Sequence, residues 1–313
     1  MTNFAIGIDI GGTRTKIGLV DLDQTRISEI FLTSTEKTDP DRFINGITSG
    51  IEALMLKSKL TDSNLIGIGI GVSGFVFEDG KVDSTYGFQE FMEDYPLAAI
   101  IQKLTGLPCK VDNDARLVAL GEAISGRGVG FDRVLVLTLG TGLGVGFVNR
   151  GKLDEDLPFS HMAGHMTIKD NGDKCYCGKT GCLESLVSAS GLMTKANKLN
   201  WFEQNPDYQK DSQSLFEAAL SGNPLAIGII EDFIHDLKTG IANFINIYAP
   251  ELIVLGGGLS KSLGPYLPQI SQIEYLAPFK NYLVKIECSE LGEKAGVIGA
   301  AALFITKSKE NDN

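Results

Sequence analysis

The chain has 313 residues, 43% of them hydrophobic and 21% charged, which is globular composition with enough length for two domains of ordinary size. A formal net charge of −11 sets a mean surface potential that repels nucleic-acid backbones and anionic membranes, so neither is expected as a partner. The N-terminus lacks the basic start and apolar stretch of a secretory signal, no run of about 18 apolar residues suggests a membrane span, and five cysteines, an odd number, argue against a disulfide framework; the expected location is the cytoplasm.

In chain order, Ile6 to Thr13 followed by Lys16 to Val20 reads as strand, Gly-Thr turn, strand. A third strand over Arg26 to Thr33, an amphipathic helix over Pro40 to Ser58 and an apolar strand over Leu65 to Val72 come next. A helix over Pro96 to Thr105 and a strand over Cys109 to Val111 lead into Asp112-Asn113-Asp114. Ala115 to Ser125 then carries apolar residues at helical spacing behind an Asn/Asp cap. About 130 residues after the first hairpin, Leu135 to Gly142 followed by Leu143 to Val148 repeats its pattern. Leu183 to Tyr248 reads as helical, Glu251 to Leu255 as a strand closing into Gly256-Gly257-Gly258, Leu283 to Cys288 as a strand, Ala295 to Thr306 as a helix, and Lys307 to Asn313 as a frayed polar tail. Alternating strands and helices around a duplicated hairpin give an α/β class with two layered domains.

In Asp9-Ile-Gly-Gly-Thr13 the glycines permit positive φ and remove side chains, so backbone N–H groups can approach a phosphate, and Thr13 adds a hydroxyl. Asp9, at a strand end, could hold Mg²⁺ through water. Gly140-Thr141-Gly142 repeats this chemistry, and two such hairpins could clamp and align a triphosphate. Either one alone could be only a tight β-turn; the pair is what points to phosphate. Neither fits the Walker A pattern or a dinucleotide fingerprint. Gly256 and Gly257 offer side-chain-free backbone on which a nucleobase or ribose could lie, and a plain strand-to-helix turn explains them equally well.

Phosphoryl transfer to a hydroxyl needs a carboxylate to accept its proton, and Asp112-Asn113-Asp114 supplies candidates at a helix start. From local sequence, Asp112 or Asp114 could equally be a helix cap. His165, Cys175, Cys177 and Cys182 give His-x9-Cys-x-Cys-x4-Cys, three thiolates and one imidazole that complete a tetrahedral zinc shell with no open position, which is a structural arrangement. Gly178 and Gly181 would let the loop fold round the ion. Cys109 and Cys288 lie in apolar strand contexts and read as core residues, and His161 and His235 read as ordinary core or surface positions.

These residues carry a resemblance. Asp9-Ile-Gly-Gly-Thr13, Asn113-Asp114-Ala115 with Gly121-Glu122, Leu139-Gly-Thr-Gly142, Gly164-His165, Cys175-x-Cys177-Gly178-x-x-Gly181-Cys182-x-Glu184 and Ile253-Val-Leu-Gly-Gly-Gly258 together resemble the ROK family of bacterial sugar kinases and related repressors, glucokinase-like and N-acetylhexosamine-kinase-like members included. The resemblance runs nearly end to end. It implies the actin-like ATPase (ribonuclease H-like) fold with two related domains flanking a cleft: residues 1–114, completed by the C-terminal helix 295–313, and residues 115–294 with the zinc-binding loop. The implied activity is ATP-dependent phosphorylation of a sugar hydroxyl, with closure of the domains on sugar and ATP.

Position by position, the resemblance implies that Asp114 is the base, that Gly74, Asn113, His165 and Glu184 face the sugar, and that His165 also binds zinc. Asp9 would serve Mg²⁺, with Gly11, Gly12, Thr13, Gly140, Thr141 and Gly142 around the phosphates of ATP. A homodimer is the implied assembly, and with the first glycine motif beginning at Ile6 no helix-turn-helix domain is expected ahead of it. The chain departs from the family in four places. Met162 stands where the family carries a sugar-binding Glu, Ser73-Gly74 replaces Pro-Gly, and Tyr86-Gly87-Phe88-Gln89 replaces an Asn-Leu-x-x-Trp-like segment; the loop Lys152 to Ser160 is also acidic and apolar rather than Gly-rich. An unpaired buried hydroxyl costs on the order of 1–3 kcal/mol, so Met162 points to a sugar other than glucose, or to sugar binding without turnover.

Overall fold

A computed structural model of the chain describes residues 3–58, 65–84, 89–154, 159–273 and 281–305. The apolar runs form two five-stranded sheets, one in each of two units: residues 1–129 with 293–313, and residues 130–292.

The first unit opens with β1 (Phe4–Ile10), β2 (Arg14–Asp21) and β3 (Arg26–Ser34), an antiparallel meander in which Asp9 pairs with Lys16. Along β3 exposure alternates residue by residue, as befits an edge strand with one wet face, while β1 is buried over most of its length. Helix α1 (Pro40–Ser58) starts with proline at its first position, and Asp39 Oδ1 accepts from the amides of Asp41 and Arg42. Its Phe43, Ile44, Ile47, Ile51 and Leu54 recur at three- and four-residue steps and bury one face against the sheet. Strand β4 (Leu65–Val72) then runs parallel to β1, since the helix returns the chain to the same end. A small ribbon of β5 (Phe75–Val76) and β6 (Val82–Asp83) follows, then α2 (Leu97–Thr105), β7 (Cys109–Asn113) parallel to β4, and α3 (Asp114–Ser125). The strand order is β3-β2-β1-β4-β7.

The second unit repeats this order. Strands β8 (Arg133–Leu139), β9 (Leu143–Asn149) and β10 (Lys152–Leu153) form the meander, and β11 (Leu252–Gly256) and β12 (Lys285–Cys288) run parallel to β8, giving β10-β9-β8-β11-β12. Between β10 and β11 lie a 3-10 turn over Ser160–His165 and the helices α4 (Leu183–Val187), α5 (Ala189–Lys198), α6 (Trp201–Gln204), α7 (Ser212–Leu220) and α8 (Pro224–Tyr248). The short α9 (Ser260–Leu263) and α10 (Leu267–Ile270) precede β12. Trp201, Phe216, Phe233 and Phe244 are fully buried in the core these helices build against the sheet. The last helix, α11 (Ala295–Ala302), belongs to the first unit, where Gly7 and Gly69 let it lie directly on β1 and β4: a Cβ on either would stand 1.9 or 1.8 Å from a helix carbonyl oxygen.

Several sequence expectations change in detail. The helical stretch over Leu183 to Tyr248 is five helices, broken at Ser188 and Asn223, whose side chains cap the helices that follow, and around Asn200 and Asp211. The last strand begins at Lys285 rather than Leu283, which is solvent-exposed. Strand β7 extends through Asn113. The boundary expected after Asp114 falls at Val129, because α3 packs on α11 and so stays with the first unit. The last helix closes at Ala302 rather than running to Thr306, with Leu303 as its cap. The segment 86–88, part of the loop 152–160 and the tail 307–313 lie outside the described residues. No described helix is long and apolar enough to cross a membrane.

Candidate active site

In a doubly wound sheet, ligands collect beyond the carboxyl ends of the parallel strands. In the first unit these ends are the close of β1, with Asp9; the close of β4, followed by Gly74; and the close of β7, followed by Asp114. The chain thus brings Asp9, Gly74, Asn113 and Asp114 to one edge of one sheet.

The helix cap is Asn113, not Asp112 or Asp114. Asn113 has extended backbone, and its Oδ1 accepts from Ala115 N at 3.0 Å and Arg116 N at 3.3 Å, while its Nδ2 donates to Gly74 O at 3.0 Å. Asp112 Oδ1 accepts from Arg116 Nε at 2.8 Å and from Asn113 N at 2.7 Å. Asp114, at the first position of α3, accepts from its neighbour Ala115 N at 2.8 Å. Burial, and then the negative charge of Asp9, push its carboxyl from 3.8 up to about 6. A carboxylate with this proton affinity and no capping duty has the character of a general base near neutral pH.

Asp9 is held by Lys16, whose Nζ donates to Asp9 Oδ2 at 2.9 Å with both side chains 14% exposed. Gly296, at the start of α11, leaves room for the Asp9 carboxylate: a Cβ there would come within 2.9 Å of Asp9 Cγ. Lys16 is a site residue that the sequence reading passed over, although the register of a Gly-Gly-Thr hairpin sets it opposite Asp9. At the tip, Gly11 N donates to Arg14 O, Thr35 N donates to Thr13 O, and Thr35 Oγ1 donates to Gly11 O. The amides of Gly12 and Thr13 have no acceptor among the described residues and suit an anion.

In the second unit the corresponding edge carries Gly140-Thr141-Gly142 after β8 and Gly256-Gly257-Gly258 after β11. Gly140 N donates to Gly142 O at 3.0 Å, and Glu184 Oε2 accepts from Leu143 N at 3.0 Å, so the buried Glu184 is fastened to this hairpin. The positive φ expected of the hairpin glycines is found elsewhere: Gly74, Gly178, Gly181 and Gly257 have it, whereas Gly11, Gly12, Gly140 and Gly142 contribute only the absence of a side chain. Gly257, with φ 81°, sits where a Cβ would lie 2.5 Å from Leu139 O, and its loop is tied to the hairpin by Leu259 N donating to Leu139 O at 3.0 Å. A left-handed residue this close to another backbone has to be glycine.

His165, Cys175, Cys177 and Cys182 converge, with their donor atoms all within 4.8 Å of one another. Cys175 Sγ is 3.4 Å from His165 Nδ1 and Cys177 Sγ is 3.6 Å from Cys182 Sγ. Tetrahedral zinc with bonds of about 2.0–2.3 Å separates its donors by about 3.3–3.8 Å, a spacing these two pairs have, and three thiols with one imidazole are the donor chemistry that suits this ion. Gly178 and Gly181, at φ 89° and 70°, turn the loop as expected. Met162 is 43% exposed on the 3-10 turn that ends in His165. Cys109 is a core-strand thiol that burial pushes up to about 12, and it packs against the first core together with β7. Gln89 is buried beside Ser84.

The comparisons with known proteins agree with one another. The ROK family profile matches residues 5–307. The glucokinase of Halalkalibacterium halodurans is 32% identical over 322 aligned residues that cover 98% of this chain and 96% of its own. The xylose repressor of Caldicellulosiruptor bescii is 30% identical, over 96% of this chain and 78% of its own length. The crystal structure of a ROK family glucokinase from Streptomyces griseus in complex with glucose and AMPPNP superposes with a TM-score of 0.80 at 27% identity, covering 96% of this chain and 99% of that one. The fold is accordingly the actin-like ATPase fold of the ROK kinases. This chain belongs to the ROK family.

Proposed function

We propose that the protein transfers the γ-phosphoryl group of ATP to a hydroxyl of a sugar or sugar derivative, with Asp114 as general base. The observation that carries this reading is the state of Asp114: Asn113 has taken over the cap, and burial beside Asp9 leaves a carboxylate poised to accept a proton near pH 6. The kinase relatives and the nucleotide- and glucose-bound neighbour support it.

In this mechanism the sugar hydroxyl gives its proton to Asp114 as its oxygen attacks the γ-phosphorus, and the bond to the β-bridging oxygen breaks to release ADP. Lys16 and the amides of Gly12 and Thr13, which have no acceptor among the described residues, are donors available to the phosphates. Asn113 orients the base by fixing the start of α3 and ties Gly74 to it. Asp9 Oδ1 has no protein partner among the described residues, and a single carboxylate beside phosphates suits Mg²⁺, which would supply neutralising charge.

Zinc, held by His165, Cys175, Cys177 and Cys182, would fasten the 3-10 turn carrying His165 to the start of α4, two residues before Glu184. Its role is thus to fix the turn that carries His165 and the helix start that presents Glu184 to the sugar, rather than to react.

ADP release over a panel of hexoses, N-acetylamino sugars and polyols tests the activity. Turnover by no sugar above the Asp114→Asn level would overturn it. A second reading, sugar binding without transfer, is favoured by Met162 and by the repressor relatives. Calorimetric sugar binding that ATP leaves unchanged, with no phosphorylated product by mass spectrometry, would establish that reading instead.

A further inference from the structure

The two ring nitrogens of His165 meet different partners. Nδ1 faces Cys175 Sγ inside the four-donor cluster, whereas Nε2 lies 3.1 Å from Tyr176 Oη. The two rings also touch edge to face, with centroids 5.1 Å apart and planes at 82°. Tyr176 stands between two of the cysteines, on a loop whose turn is closed by Cys175 N donating to Lys179 O at 2.8 Å and Gly178 N donating to Cys175 O at 3.1 Å. The imidazole is buried, while the tyrosine is 61% exposed and is therefore not there to fill the core.

Chemistry dictates the direction of the outer bond. An imidazole that gives its Nδ1 lone pair to a metal carries its one hydrogen on Nε2, and the atom facing that nitrogen must then accept. A ligating histidine whose outer N–H has a fixed acceptor keeps one tautomer and one ring plane, and loss of such an acceptor weakens metal binding by about 10- to 100-fold.

We infer that Tyr176 is a positioning residue for His165: its hydroxyl accepts the Nε2–H and holds Nδ1 toward the three thiolates. The arrangement is reciprocal. The ion gathers the cysteines that flank Tyr176, and Tyr176 in turn orients the histidine that completes the shell. The inference rests on the zinc reading given above, and it adds a residue that the Cys-x-Cys pattern leaves unspecified.

The test uses zinc-loaded full-length protein, with metal content measured by mass spectrometry and zinc release into excess chelator followed with a chromophoric indicator. Tyr176→Phe keeps the ring contact and removes only the hydroxyl, so it is expected to release zinc about 10- to 100-fold faster than the wild type. Tyr176→Leu should be little faster than Tyr176→Phe. In the wild type, nitrogen-15 NMR of the His165 ring should report the Nε2–H tautomer, a measurement that needs no variant to fold. Release from Tyr176→Phe at the wild-type rate, acceleration in Tyr176→Leu alone, or an Nδ1–H tautomer would each overturn the assignment while leaving the zinc reading intact. Wild-type protein that takes up no zinc would overturn both.

Discussion

Replacing Asp114 by Asn should abolish turnover and at the same time stabilise the protein, and the two effects have a common origin. The carboxyl rises from 3.8 to about 6 through burial and the charge of Asp9, so the native fold holds its proton more tightly than the unfolded chain does. The folded value lies above the unfolded one, so the native state is favoured at low pH and loses stability as pH rises from about 4 to about 6; above that the penalty is constant. A rise of this size corresponds to about 3 kcal/mol, and solvent reaching a half-buried carboxylate reduces it, so the penalty at pH 8 is on the order of 1–3 kcal/mol. Asparagine keeps an oxygen for Ala115 N–H and discards the charge. Urea unfolding at a series of pH values should therefore show Asp114→Asn more stable than the wild type at pH 8, with the two curves meeting near pH 4. The wild-type kcat/KM should fall about tenfold per pH unit below about 6, because the base must be charged. A variant no more stable at pH 8, or a kcat/KM that is flat from pH 5 to 8, would refute the argument.

Three further outcomes follow from the same geometry. Lys16→Ala removes the cation on Asp9 and should lower kcat/KM for ATP by about 10²- to 10³-fold with unchanged circular dichroism; near-normal ATP kinetics would exclude Lys16 from the phosphate machinery. Gly257→Ala places a Cβ 2.5 Å from Leu139 O at a left-handed φ, so it should destabilise the second unit by at least about 1–2 kcal/mol in chemical denaturation and raise KM for ATP. Met162→Glu puts on the turn that ends in His165 the carboxylate that the family resemblance implies for this position, and a gained hydrogen bond of about 1–3 kcal/mol predicts a roughly 5- to 150-fold lower KM for glucose, checked by steady-state kinetics.

What was legible in the sequence, and what was not, divides along physical lines. The strands and helices of both units, and the repeat of the hairpin, follow from features that a sequence carries openly: apolar runs, Gly-Thr turns repeated about 130 residues apart, and helical periodicity between strands. The cluster of His165, Cys175, Cys177 and Cys182 was legible because ligand type and spacing are themselves the chemistry. The cap at Asn113 was not, since Asp112, Asn113 and Asp114 can each cap a helix and only the two extra residues of β7 decide among them. That small backbone fact has the largest functional consequence, because a capping Asp114 would give its oxygens to helix amides and have its proton affinity lowered, whereas Asn113 in that duty leaves Asp114 raised and available. Lys16 is legible only through hairpin register, which sets it opposite Asp9 on the neighbouring strand, away from the turn that carries the glycine motif. Tyr176 could not be read at all. The middle residue of a Cys-x-Cys loop faces inward or outward according to loop geometry, and only folding brings its hydroxyl to the nitrogen of a histidine eleven positions earlier.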